Sequence, residues 1–329
     1  MTENLPPLSI LDLSTVGDGQ TSADALAGSG RAIRLAEELG YRRCWVAEHH
    51  NMPAVASTSP PVLISHLASI TDRISVGSGG VMLPNHSALA VAEQFAMLEA
   101  LYPGRIDLGL GRAPGTDGRT AVALRRGVRD ETADEFPSQL LSLMAMLGDN
   151  RTDSDPPLHA TPAPNSYPRV MLLGSSTFSA ELAGRLGLPF AFAEHFSPEY
   201  LDSATEAYRR AFTSSAVLDR PYLIVATSAI CAPTDSEAMR LSMPSRMMTV
   251  SLRRRDPRPL MTVEDALAHP DAELALELTA GRIAGSPETV RKGLRVLAQN
   301  TDANEIMVTT ATYDVEDRLE SIRLLASGA

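Results

Sequence analysis

Cysteine is nearly absent: Cys44 and Cys231 are the only two in 329 residues, too few for a disulfide framework. Both fall inside strand-like runs, far from any metal-ligand pattern, and read as buried free thiols in a reducing compartment. Positive charge is also in deficit, with 29 Lys and Arg against 40 Asp and Glu and a formal charge of −11. A nucleic-acid partner needs a basic face to neutralise phosphate, so this balance argues against one. No apolar run approaches the roughly 20 residues that span a bilayer, and no membrane association is expected. Residues 1–7 lack the basic and apolar regions of a secretory signal, which points to the cytoplasm. What is plentiful is apolar side chain, 44% of the chain, enough for a large core.

Short β-rich runs alternate with helical patterns, the signal of βαβ units around a parallel sheet. The runs are 8–13, 43–48, 74–83, 106–110, 170–173, 190–193, 222–229 and 305–310. Most are nearly continuous apolar stretches, as expected of strands buried on both faces. Eight of them predict an α/β fold of the (β/α)₈ TIM-barrel type, one domain over residues 1–329. Between them, Ser87 is a good N-cap before Val91, Phe95, Leu98 and Tyr102, and Pro103-Gly104 stops that helix. Ser286-Pro287 opens another, and Asp314 caps the last. Two segments break the rhythm. Residues 150–168 are rich in Pro, Asp and Ser and read as a loop. Residues 233–281 follow the seventh strand and carry Met243, Met247, Met248 and the run Arg253-Arg254-Arg255. An insertion there sits where a lid over the barrel mouth would sit, and equally where a functionless helical hairpin would.

Barrels concentrate chemistry at the C-terminal ends of their strands. Those ends carry Glu48-His49-His50-Asn51, Gly77-Ser78-Gly79-Gly80, Pro84-Asn85-His86, Gly111-Arg112, Gly174-Ser175-Ser176-Thr177 and Glu194-His195-Phe196. His66 and His159, in a helix and a loop, read as structural. His49, His50 and His195 read as three imidazoles aimed at one mouth. Gly174-Ser175-Ser176 runs from a strand into a helix, where free N–H groups and hydroxyls suit a phosphate. An ordinary Ser or Thr cap leaves the same trace. Arg112 offers the fixed charge and forked donors that a phosphate prefers. Glycines 77, 79 and 80 in a strand mark a bulge or the close approach of a flat ligand. They do not form the G-x-G-x-x-G dinucleotide fingerprint.

Ala47-Glu48-His49-His50-Asn51, the stretch from Val76 to His86, the block from Tyr102 to Gly115, Leu173-Gly174-Ser175-Ser176 and the run Ala191 to Pro198 together resemble the bacterial-luciferase-like flavin monooxygenases. The likeness runs from about residue 8 to about residue 230, and more weakly through Gly285-Ser286-Pro287-Glu288 to the end. It implies a (β/α)₈ barrel that binds reduced FMN at its C-terminal mouth and oxygenates a small organic substrate with O₂. The reduced flavin would come from a separate flavin reductase, and the assembly would be a homodimer. It further implies a non-proline cis peptide at Gly79-Gly80 beside the flavin. Flavin contacts would come from Ser78, Gly79, Gly80, Arg112, Gly174, Ser175, Ser176 and Arg125 or Arg126. His49 matches the histidine that assists the oxygen chemistry, and His50 and His195 would face substrate. Gly111 stands where the luciferase large subunit has a reactive cysteine, so light emission is not expected. Relatives on the same barrel use the deazaflavin F420 for hydride transfer, and one is a non-catalytic flavin binder; both remain open alternatives. A metal-dependent hydrolase using His49, His50, His86 and His195 is disfavoured, because the adjacent pair lacks ligand spacing and no carboxylate is clearly placed to join it.

Overall fold

Nine strands, all paired in parallel, organise the residues that the computed structural model describes: 5–125, 135–149, 158–163, 165–278 and 281–327. They are β1 Leu8–Asp12, β2 Arg43–Val46, β3 Ser75–Met82, β4 Ile106–Gly111, β5 Arg169–Gly174, β6 Phe190–Ala193, β7 Leu223–Cys231, β8 Arg282–Gly285 and β9 Glu305–Thr309. β1 to β7 follow one another around the sheet, β7 pairs with β9, and β9 returns to β1. Eight strands therefore close a barrel, with helices between them, as the alternation of runs predicts. The ninth, β8, lies outside that ring. Ala226 O accepts from Glu194 N of the segment leaving β6, and two residues on Ser228 N donates to Gly281 O. β8 thus takes over the edge of β7 where β6 ends.

Alternation along each strand sorts the side chains. Ile10, Cys44, Val46, Val76, Leu108, Leu172, Phe190 and Val225 point outward into one large core beneath the helices. The inward set stacks in layers, as barrel interiors do. At the base, Ser9, Arg43, Asp107, Tyr222 and Glu305 form a polar floor. Above it Leu11, Trp45, Met171, Ala191, Ile224 and Met307 form an apolar plug. Above the plug, Ala47, Gly79, Thr309 and Ala311 face a cavity.

The floor is a charged network. Arg43 Nη1 donates to Asp107 Oδ2 (2.6 Å), and its Nε donates to Glu305 Oε1 (2.8 Å). Asp107 also accepts from Trp45 Nε1 (2.9 Å) and Arg169 Nε (2.7 Å). Glu305 accepts from Ser9 Oγ (2.5 Å) and Tyr222 OH (2.7 Å). Burial works against the Arg43 charge, but Asp107 and Glu305 more than offset it, so its pKa lies above the ordinary arginine value.

The glycines of β3 separate into two causes. A Cβ on Gly77 would come within 2.5 Å of Asp107, so this glycine answers to the floor and not to a ligand. At Gly79 the pairing with β4 slips, giving the bulge read from the sequence; a Cβ there would meet Leu11 at 2.7 Å and Trp45 at 3.0 Å, so this glycine answers to the plug, while its backbone lines the cavity.

After β7 the insertion folds into a helix, Asp235–Arg253, and two short ones, Val263–Ala268 and Ala272–Leu276, before β8. Thr234 caps the long helix by accepting from Glu237 N. The insertion is tied to the loop after β1, where Leu260 N donates to Val16 O (2.9 Å) and Asp18 N to Leu260 O (2.7 Å). β8 and the helices Gly118–Arg125 and Phe136–Met146 are not anticipated by the sequence reading. Ser286 takes the N-cap position with Pro287 in the first turn, though its side chain makes no cap hydrogen bond, and Asp314 caps the last helix by accepting from Glu316 N at 2.8 Å. Both cysteines are buried and free. Among the described residues, no helix is long and apolar enough to cross a membrane.

Breaking a buried ion pair from one side leaves the other charge unpaired. Asp107→Ala is therefore expected to lower stability by about 3–5 kcal/mol in urea denaturation. Removing the exposed Arg31–Glu316 pair by Arg31→Ala should cost less than about 1 kcal/mol.

Candidate active site at the barrel mouth

Two cavities meet at His49. The first, about 700 Å³, has Leu11, Ala47 and Gly79 as its barrel wall, while Met248, Thr249 and Leu252 of the insertion roof it. Its size falls within the roughly 300–1,000 Å³ usual for cofactor and small-molecule sites. The second, about 810 Å³, lies outside His49 and is lined by His50, Gly115, Arg119 and Arg255 among others.

His49 and His195 both line the first cavity, from the ends of β2 and β6. His49 Nδ1 donates to Gly115 O (3.2 Å) and His195 Nδ1 to Ala226 O (3.0 Å). A carbonyl can only accept, so each Nδ1 carries the proton and each Nε2 keeps a free lone pair. Burial pushes the His49 pKa below the ordinary value. Burial likewise pushes His195 down to about 4, with Arg282 and His49 adding to the effect. Both imidazoles are neutral bases at pH 7.

His50 does not share that cavity. Its Nε2 donates to Glu48 Oε1 (2.8 Å), which also accepts from His86 Nε2 (2.8 Å). Glu48 Oε2 accepts from Met82 N (3.0 Å). Burial would raise the Glu48 pKa, but hydrogen bonds from His86, His50 and Met82 hold it below the ordinary carboxylate value. Glu48 is thus the carboxylate that the sequence reading does not place. The three groups offer ligand atoms within 4.8 Å of one another, a spacing open to a metal ion, and here they bond to each other. The hub fixes the loop carrying His49 to the end of β3.

The remaining site residues divide. Gly79 lines the first cavity, and the Gly79-Gly80 peptide is cis. Gly80 is buried against Gly109 O. Ser78 is not brought to the cavity: strand alternation turns it away, and its hydroxyl donates to Gly109 O (2.8 Å). Arg112 stacks over the Phe178 ring, 4.1 Å from its centroid, in the first turn of helix Thr177–Arg185. That contact sets a cation beside Gly174, Ser175 and Ser176. Ser176 is the N-cap of this helix, yet its side chain makes no cap hydrogen bond, which leaves the first-turn N–H groups available. Arg112, Ser175 and Ser176 line neither cavity. Arg125 ends the helix Gly118–Arg125, and Arg126 lies outside the described residues. The sequence reading names Glu194 at the end of β6 but gives it no role. Burial raises its pKa, and its Oε2 is buried without a partner.

A closed parallel barrel with histidines, a glycine bulge and an insertion at its C-terminal mouth defines a cofactor- or substrate-binding enzyme scaffold. The family model for luciferase-like monooxygenases matches residues 7–304, and the chain belongs to that family. It is 42% identical to a luciferase-like monooxygenase of Escherichia coli strain K12, over 98% of this chain and 97% of that one. It is 34% identical to the N-acetyl-S-alkylcysteine monooxygenase of Bacillus subtilis strain 168, over 97% of each. The crystal structure of apo-MsnO8 superposes with a TM-score of 0.90 at 39% identity, covering 98% of both chains. More distant barrels share the fold alone. One is the oxygenating constituent of the Pseudomonas putida 3,6-diketocamphane monooxygenase, solved with FMN (19% identity, TM-score 0.74). Another is an F420-dependent secondary alcohol dehydrogenase (15%, TM-score 0.69).

The depressed His195 pKa has a measurable sign. Between its unfolded value near ~6.5 and about 4, the unfolded chain binds a proton on this imidazole and the folded chain does not. Stability should therefore fall as pH falls through that window, and less steeply in His195→Gln. Ring-proton NMR should show His195 neutral down to about pH 4; titration near the ordinary histidine value would refute the burial argument.

Proposed function

We propose that this chain is the oxygenating half of a two-component system, taking reduced FMN from a separate reductase and using O₂ to oxygenate a small organic substrate. The observation that carries this reading is a cavity walled by Gly79 and roofed by the insertion, into which His49 and His195 present neutral imidazoles. The residues fit a flavin. Leu11, Ala47 and the backbone of Gly79 offer an apolar wall against which a planar ring can lie. Arg112, held by Phe178 beside an uncapped helix start, suits a phosphate. Reduced FMN, when bound, supplies two electrons for the activation of O₂.

The protein's own residues bind, orient, exclude water and handle protons. His49 Nε2 accepts or returns a proton at the cavity wall, its orientation held by Gly115 O and by the Glu48 hub below it. Helix Asp235–Arg253 keeps bulk water from the roof, and we read the insertion as a lid. A cytoplasmic setting, where reductase and oxygenase exchange reduced flavin, completes the proposal. The homodimer that goes with it would cover Met97 and Leu101, one turn apart on helix Ala88–Leu101 and 54% and 57% exposed. Val62 on the neighbouring helix Pro60–Ser69 extends this apolar face.

Flavin binding, turnover with O₂ and sedimentation test the reading. Anaerobic titration should show FMNH₂ binding, and mixing with O₂ should oxygenate a member of a panel that begins with N-acetyl-S-alkylcysteines. His49→Ala should keep flavin affinity, lose product formation by about 10²-fold or more, and release hydrogen peroxide instead. Tight F420 binding with no FMNH₂ binding would replace oxygen chemistry by hydride transfer. In sedimentation, the wild type should run as a dimer and Met97→Glu/Leu101→Glu as a monomer.

A further inference from the structure

The insertion carries positive charge that the proposed chemistry does not use. Arg253, ending helix Asp235–Arg253, and Arg282, opening β8, line the same cavity as His49 and His195. Arg246, two turns before Arg253, is buried nearby. Its Nε donates to Ser242 Oγ (2.8 Å) and its Nη1 to Leu278 O (2.7 Å), so its charge meets neutral acceptors only. Arg282 Nη2 donates to Thr249 Oγ1 (2.5 Å), and Arg253 makes no side-chain hydrogen bond among the described residues. None of the three arginines forms an ion pair among the described residues, although the chain as a whole carries a formal charge of −11.

The carboxylates around them do not balance this. Glu194 faces Arg282, but burial raises its pKa and its Oε2 is unpartnered. Glu199 and Glu277 also line the cavity, yet both are exposed and neither pairs with an arginine among the described residues. His195, beside them, is neutral. Burial, then the charges of Arg246 and Arg253, push the Arg282 pKa down to about 10, which still leaves it protonated at pH 7. Keeping like charges together at the side of a partly apolar cavity is costly, and an anion placed between them recovers that cost.

We propose that Arg282 and Arg253 form a carboxylate-anchoring subsite, so that the substrate of this cavity is a small organic acid with an apolar body. The planar fork of Arg282, steadied by Thr249, matches a carboxylate in bidentate fashion, and Arg253 closes on it from the rim. The apolar body then lies along Met248 and Leu252 toward Leu11 and Gly79, which places the end remote from the acid beside His49. A phosphate is better served elsewhere, by Arg112 and the free N–H groups at Ser176. The oxidation of such an acid rests on the flavin reading above, whereas the anion subsite stands on the arginines themselves.

Hexanoate and hexanamide share an apolar tail and differ in the charge of the head, and their binding by calorimetry tests the subsite. Both are titrated into the wild type, Arg282→Gln and Arg253→Gln, with and without FMN. The wild type should bind hexanoate at least about 10-fold more tightly than hexanamide. Each substitution should weaken hexanoate by a similar factor, leaving hexanamide and FMN affinity unchanged. Arg253 is exposed, so its variant keeps the test valid if Arg282→Gln does not fold. Equal binding of acid and amide, no binding of either, or loss of FMN instead of hexanoate affinity in the variants would overturn the proposal. Arginine-dependent hexanoate binding to a protein that takes no FMN would uphold the subsite and refute the flavin reading.

Discussion

A guanidinium at the base of a barrel is tolerated only where carboxylates reach it from other strands, and Arg43 has Asp107 of β4 and Glu305 of β9. Neither strand neighbours β2, so the contacts cross the barrel interior. They fix the relative height of three strands. Every inward layer above inherits that register: Trp45 donates to Asp107 from one layer up, and Gly77 must be glycine because Asp107 occupies its space. The apolar plug around Trp45 then forms the underside of the cavity, in the way that stacked layers fill barrel interiors.

The mouth repeats this logic with one buried carboxylate held by hydrogen bonds. Glu48 takes hydrogen bonds from two imidazoles and a backbone amide, joining the loop after β2 to the end of β3. His49 projects from that fixed loop, and His195 is fixed separately by a carbonyl of β7. The carbonyls that orient the two rings, Gly115 O and Ala226 O, both lie outside the insertion.

Legibility followed locality. The eight barrel strands were readable because each is a short apolar run bounded by turn residues, and a barrel buries both faces. β8 was not, since Arg-Ile-Ala-Gly is too short to show a period and becomes a strand only through β7. Helix Phe136–Met146 escapes periodicity because apolar residues occupy most of its circumference. In the site, the motif ends were visible but their directions were not. His49 and His50 are adjacent in sequence, yet one faces the cavity and the other turns to Glu48. Ser78 and Gly79 part for the same reason, strand alternation. The stacking of Arg112 on Phe178 and the approach of Arg282 to Arg246 and Arg253 of one helix join residues far apart in sequence, and only the folded chain brings them together.

β8 has a role apart from chemistry. A closed barrel has no edge, but β7 outruns β6 from Ser228 to Cys231, and that stretch would present bare amides and carbonyls to solvent. Such an unpaired ledge is a template for pairing with another chain and an aggregation hazard. β8 seals it residue by residue, Ser228 against Arg282 through Cys231 against Gly285. β8 is thus a cover for an overlong strand, and it cannot be removed from this barrel unless β7 is shortened with it.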